Sequence, residues 1–213
     1  MVKKKPKKTG DSAAYHHGDL RTALIHAATK IVETEGVMAL SLRGVARLAG
    51  VSQTAPYHHF SDKEALLAAV AETGFRGLSE AMDARTQRVE GASGQIVALG
   101  HAYVSFATEN PGRFRLMFGP QVPDKANYPD LLATGARSYE MIRSAVQSRR
   151  YDLNTQSGSL EADTMAAWSI VHGLATLLID SGFNSDSMGA PTQNALVEHV
   201  TQALVGGLGL GGI

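Results

Sequence analysis

The chain of 213 residues carries 20 Lys/Arg against 20 Asp/Glu and has no cysteine. Its length suits one large domain or two modest ones around a buried core. The missing thiols exclude a disulfide scaffold, a thiolate metal site and a cysteine nucleophile. No apolar run approaches the roughly 18 to 20 residues of a membrane span. The basic start MVKKKPKKTG leads into a polar stretch where a secretory signal needs an apolar one. A cytoplasmic setting is therefore expected. Zero net charge conceals an asymmetry: residues 1–64 hold ten Lys/Arg against six Asp/Glu, and residues 65–213 hold ten against fourteen. A basic front before an acidic remainder suits a polyanionic partner. Half of those ten cations, Lys3, Lys4, Lys5, Lys7 and Lys8, sit in a tail that reads equally well as a solvated end.

Residues 1–14, with Pro6, Gly10 and no apolar periodicity, read as disordered. A first helix starts near Gly18-Asp19, where an acidic side chain complements the positive helix end, and stops at Gly36. Leu20, Leu24, Ala27, Ala28, Ile31 and Val32 give it one apolar face. His16 and His17 before it read as a phosphate contact or as solvent-exposed rather than as a metal pair, since adjacent histidines rarely converge on one ion. Ser41 suits the N-cap of a second helix whose Leu42, Val45, Ala46 and Ala49 face inward. Gly50 supplies a turn with positive φ, and Val51 is its buried residue. Ser52 caps a third helix over 53–59, with Pro56 in its first turn. Ser61-Asp62-Lys63-Glu64 reads as a capping box of the S-x-x-E form. Residues 41–63 thus have the pattern of a helix-turn-helix, whose second helix enters the DNA major groove.

The fourth helix runs over 62–88, with Gly74 and Gly77 as soft points or as packing points, and EGASG at 90–94 breaks it. A fifth helix over 95–109 stops at Asn110-Pro111-Gly112; RFRLMF forms a brief helix at 113–118, and 120–129 is a loop. A helix over 131–150 leads through a polar loop into 161–181, the most apolar part of the chain. A helix apolar nearly all round is covered on more than one side, here by the core and by a partner subunit. A last helix over 192–205 carries Leu196, Val200, Ala203 and Leu204. No strand pattern competes, so the fold expected is all-α with about nine helices.

VARLAGVSQTAPYHHFSDKEALL resembles the DNA-binding signature of the TetR family of one-component regulators, and the likeness covers about residues 18–70 without gaps. In that signature a short recognition helix ends in Tyr, His and an aromatic, with Lys opening the next helix. Trp168, His172-Gly173 and ENPGRFRLMF at 109–118 resemble the WHG subgroup of C-terminal domains. The resemblance implies that Gln53, Thr54, Ala55, Tyr57 and His58 are the exposed recognition positions, and that Arg43, Ser52, His59 and Lys63 contact phosphate. Side-chain chemistry agrees in part. Gln53 can bridge an adenine edge, Thr54 or Ala55 can meet a thymine methyl, Tyr57 offers a hydroxyl to phosphate, and Lys63 adds charge at a helix N-terminus. Phe60 is instead the apolar plug between the third helix and the first. Pro56 stands where the family often has Leu, and His58-His59 replaces an aromatic-His pair, which leaves His58 as either a base or a phosphate contact.

The organisation expected is a basic tail at 1–17, a DNA-binding unit at 18–64, a connector at 65–90, a helical effector-binding and dimerisation domain at 91–207 and a flexible tail at 208–213. The resemblance implies a homodimer through the last two long helices and a small molecule held in the C-terminal core. Candidate pocket residues are His101, Tyr103, Phe106, Phe114, Met117, Phe118, Met141, Trp168 and His172, although such residues at helical spacing also serve as core filling. His172, four residues after Trp168, either polarises a ligand or bonds the backbone of a neighbouring helix; Gly173 beside it suggests close helix approach. The function expected is a repressor released from a pseudo-palindromic double-stranded DNA operator when a small molecule binds. A ligand-independent dimeric DNA-binding protein and an activator are the alternatives. No cofactor, metal or membrane partner is implied. The chain has no Gly-x-Gly phosphate loop, no metal-ligand cluster and no carboxylate pair set against a His, so no residue stands out as catalytic.

Overall fold

The computed structural model of the chain describes residues 17–154, 158–180 and 191–207. The lysine tail, His16 and the glycine-rich end at 208–213 lie outside the described residues. Eight α-helices follow one another: α1 His17–Glu35, α2 Leu42–Leu48, α3 Lys63–Thr86, α4 Ala92–Glu109, α5 Pro111–Phe118, α6 Pro129–Asp152, α7 Leu160–Asp180 and α8 Gln193–Gly207. Three 3-10 turns lie at Val37–Ala39, Ala55–His58 and Lys125–Asn127. No strand occurs among the described residues. The fold is all-α. The count is eight rather than nine because the third predicted helix is the 3-10 turn Ala55–His58. An α-helix would need the amide of residue 56 to bond the Ser52 carbonyl, and residue 56 is proline. The Ala55 N–H takes that carbonyl instead, at 3.0 Å, closing the tighter turn.

In α1, Leu24, Ala27, Ala28, Ile31 and Val32 are buried, as their spacing predicts. The Ser41 hydroxyl accepts from the Gly44 N–H at 3.1 Å and so caps α2. At the other end Gly50 has φ +71°. The Val51 N–H returns to the Ala46 carbonyl (3.0 Å) and the Gly50 N–H to that of Arg47 (3.2 Å). This pair of bonds is a Schellman closure, which gives α2 an abrupt stop and turns the chain towards the recognition segment. Val51 is half-buried, not fully buried as expected. Phe60 is only 4% exposed and joins the core, with the Arg21 guanidinium 5.5 Å from its ring centroid.

One continuous core links all eight helices, and α3 is its spine, packing on α1, α4, α5 and α6. Gly74 and Gly77 are packing points. A Cβ on Gly74 would stand 2.6 Å from the Met117 sulfur, and one on Gly77 would stand 3.3 Å from the Phe106 ring. The break after α3 includes Gly91 at φ +74°, and residues 92–94 already belong to α4. The backbone N–H groups of Gly112 and Arg113 at the start of α5 are bonded by the Glu33 carboxylate of α1, at 2.8 and 3.2 Å. The Arg113 side chain closes on the same carboxylate at 3.0 Å.

Helix α7 requires a correction. It is 21 residues long and contains an 18-residue window of mean hydropathy 1.3, long and apolar enough to cross a membrane by length and composition, whereas no such run was expected. Only 22% of its apolar window is buried within the chain. It packs on α4, α6 and α8, and its Met165 and Ile170 stay 47% and 41% exposed.

The α1–α5 seat tolerates no side chain at Gly112, where a Cβ would stand 2.4 Å from the Val32 carbonyl oxygen and 2.9 Å from the Glu33 Cα. Gly112→Ala must therefore push one helix backbone off the other, an overpacking cost of about 1–3 kcal/mol. A lowered urea midpoint is expected; an unchanged midpoint would show that α5 does not sit on α1 this closely.

Candidate nucleic-acid interface and ligand cavity

The recognition segment is a turn held from beneath. Pro56 and Phe60 are buried, and the Pro56 carbonyl accepts from both the His59 N–H (3.0 Å) and the Phe60 N–H (2.9 Å). Ser52, Gln53, Thr54, Tyr57 and His58 are exposed around this anchor; Ala55 and His59 are half-buried. Tyr57, 53% exposed, is a large ring held in water with no core to fill. Arg43 is exposed on α2 and Lys63 is the first residue of α3. All nine residues singled out for DNA contact thus lie on or beside the outer surface of α2, the turn and the start of α3.

Two caps differ from the sequence expectation. Ser52 does not cap a helix; its hydroxyl lies 3.2 Å from that of Thr54. The N-cap of α3 is Asp62, not Ser61: Asp62 Oδ1 accepts from the Ala65 N–H at 2.8 Å, and the Ser61 hydroxyl donates to Oδ2 at 3.0 Å. Those bonds, the backbone one foremost, hold the Asp62 carboxyl below its ordinary pKa.

The C-terminal half holds a half-open cavity of about 340 Å³. Its walls are Phe75 and Leu78 of α3, Tyr103 of α4, Met117 and Phe118 of α5, an inward stripe of α6 and Trp168 of α7, with Lys125 also lining it. The rings interlock edge to face: Phe75 on Phe118 at 5.3 Å and Tyr139 on Trp168 at 5.9 Å between centroids. Trp168 Nε1–H donates to the Tyr103 hydroxyl at 3.1 Å, and that hydroxyl lies 2.8 Å from His172 Nδ1. A Tyr103 hydroxyl that donates to Nδ1 pairs with the neutral Nε2–H tautomer of His172. Burial favours the same state, lowering the His172 pKa. Burial also pushes the Tyr103 phenol well above its usual value, against the opposing effect of the Trp168 bond.

Of the nine residues proposed to line a pocket, Tyr103, Met117, Phe118 and Trp168 line this cavity. Phe114 and His172 pack on Phe118, with ring centroids at 5.0 and 4.8 Å from it, and line a separate cavity of about 270 Å³. The expected backbone partner of His172 is not there. It bonds a side chain instead, and a Cβ on Gly173 would meet nothing within 4 Å, so no helix of this chain approaches closely at that point. Three residues lie elsewhere. His101 is buried, with Nε2 3.0 Å from Glu198 Oε2 of α8. Phe106 packs at Gly77 beneath Arg113. Met141 faces a separate, open polar groove with Asp83 and Arg137. Sequence reasoning missed Phe75, Leu78 and the α6 stripe. The legible signal in α6 was Gly135, Ala136 and Ser138 between Leu131 and Ile142, small residues that leave space on an inward face.

Asp62→Ala removes the α3 cap and is expected to lower stability by about 0.5–2 kcal/mol at neutral pH. Because the folded pKa lies below the unfolded one, the native chain holds this advantage above the ordinary carboxylate value of about 3.9. The advantage is lost as pH falls through the folded value. Urea midpoints across pH check this; a constant gap from pH 7 to 2 would contradict it.

Two family profiles match the chain. That of the bacterial regulatory proteins, tetR family, matches residues 24–70, and that of the Tetracyclin repressor-like, C-terminal domain matches residues 96–204. The latter is a broader assignment than the WHG likeness. The uncharacterised HTH-type transcriptional regulator YobS of Bacillus subtilis is 36% identical over 93 residues, covering 43% of this chain and 47% of that protein. An HTH-type transcriptional regulator of Mycobacterium tuberculosis is 31% identical over 125 residues, covering 54% of this chain and 53% of that protein. The chain thus spans about half the length of the curated relatives it matches. Among solved structures, a protein of unknown function from Rhodococcus sp. RHA1 superposes with a TM-score of 0.79 at 34% identity, covering 92% and 98% of the two chains. The fatty acid degradation regulator FadR of Bacillus halodurans shares the fold at 14% identity, with a TM-score of 0.71 over 95% and 99% of the two chains. With its exposed recognition turn and its helical C-terminal half both matched, the chain belongs to the TetR family of helix-turn-helix, DNA-binding transcription regulators.

Proposed function

We propose that the chain is a homodimeric repressor that leaves its operator when a small molecule fills the α3–α7 cavity. One observation carries the reading: Phe75 and Leu78 line the cavity on the same helix whose first residue, Lys63, follows the recognition turn. A ligand that favours one position of α3 thereby favours one position of the turn. The shift requires different affinities for the two arrangements, since equal binding moves nothing. Residues 18–64 would read DNA, 65–90 connect, and 91–207 bind effector and dimerise.

The dimer reading rests on α7 and α8. Met165 and Ile170 are exposed, Gly173 leaves backbone open to close approach, and Ala195 and Ala203 of α8 are exposed small residues. A second copy applying the same surface would bury this stripe in a two-fold interface. It would also set two recognition turns about 34–36 Å apart, one DNA turn.

The experiment is operator selection from random duplexes, followed by gel shift with and without candidate effectors. Tyr57→Ala is expected to lower operator affinity at least about tenfold with the melting temperature unchanged. Lys63→Ala is expected to weaken all sequences alike and to reduce the salt slope by about one. A loss at one base position only would reassign Lys63 from phosphate to base. Ile170→Glu, on the exposed stripe, is expected to give a folded monomer by light scattering with operator affinity reduced at least about tenfold. A persistent dimer would place the interface elsewhere.

A further inference from the structure

We propose that the cavity takes a small aromatic monocarboxylate, its ring among Phe75, Phe118, Tyr139 and Trp168 and its carboxylate on the Lys125 ammonium. The proposal rests on the effector reading above and specifies the ligand. Lys125 is the sole charged residue among those lining the cavity. It is half-buried, and its ammonium donates to the Met117 carbonyl at 3.1 Å. That bond occupies one of three donors. Apart from the Tyr139 hydroxyl, the other polar side chains of the lining are committed. The Tyr103 hydroxyl serves Trp168 and His172, and the Ser138 hydroxyl lies 2.8 Å from that of buried Ser79.

The chemistry of the ligand follows from what each wall rewards. Rings set edge to face accept another flat ring better than a flexible chain. An ammonium beside apolar walls attracts an anion more strongly than it would in water, gains a charge-assisted hydrogen bond, and repels a cation. About 340 Å³ lies near the lower end of ligand sites, about 300–1,000 Å³, which favours one or two rings. The position of Lys125 also supplies a response. Its present partner is a carbonyl in the last turn of α5, the helix whose first turn sits on Glu33 of α1. A ligand carboxylate on the remaining donors of the ammonium therefore acts on the last turn of α5, the helix whose other end sits on the DNA-binding unit.

The test uses the full chain and three probes of one shape: 3-phenylpropanoate, 3-phenylpropanol and 3-phenylpropylammonium. Trp168, the single tryptophan, reports binding by its fluorescence. The acid is expected to bind at least about tenfold tighter than the alcohol, and the amine weakest. Lys125→Met should bring the acid to the level of the alcohol while leaving alcohol affinity within about twofold, which also shows that the cavity remains folded. Lys125→Arg should keep the preference. Equal binding of acid and alcohol, an acid preference that survives Lys125→Met, or no response of Trp168 to any probe would overturn the proposal. An acid preference that depends on Lys125 but leaves DNA affinity unchanged in gel shift would uphold the ligand class and overturn the effector reading instead.

Discussion

Helix α5 is held at its start by α1 and along its length by α3, and the arrangement of both halves follows from that seating. Its first N–H groups have no partner within their own helix, as in any helix. The Asn110 side-chain oxygen that could serve them accepts instead from the Arg113 guanidinium, while its Nδ2 donates to the Phe106 carbonyl at 2.9 Å. Glu33, from a helix almost 80 positions earlier, supplies the missing acceptor, and its negative charge matches the positive end of the α5 dipole. The absence of side chains at Gly112 and Gly74 brings the backbones close enough for this contact and for Met117 to fill the space beside α3. Arg115 then ties α5 to the end of α7 through Asp180, at 2.6 Å.

This seating makes α3 a wall shared by two structures. Its first turns, with Leu66, Leu67 and Val70, belong to the core under the recognition turn; Phe75, Leu78 and Met82 belong to the C-terminal core. The Tyr103–Trp168–His172 chain fixes the opposite wall. Its hydrogen bonds join α4 to α7 and satisfy three polar groups that would otherwise be costly to bury.

Local rules made much of this legible. The apolar spacing in α1, the Ser41 cap, Gly50 in the left-handed region and the recognition signature at 52–58 are each read over a few residues, because backbone conformation and exposure there depend on near neighbours. The misreadings at Ser52 and Ser61 are also local. Ser61 precedes a second candidate, Asp62, whose oxygen is the one that reaches the amide; after Ser52 the 3-10 turn has no side-chain cap at all.

What the amino-acid sequence determined by itself is the all-α fold and the helix-turn-helix, together with the unusual apolarity of 161–181. What the tertiary structure alone decided is which aromatic side chains surround empty space. Tyr103 and Trp168 line the cavity while Phe106 and His101 do not, although all four sit in apolar helical surroundings. The reason is physical: a cavity is bounded by residues from five helices, and whether a ring fills space or borders it depends on small residues such as Gly135 and Ala136 on a facing helix. The same holds for the Glu33 seat, whose acid and amides are brought together only by the packing of α1 on α5.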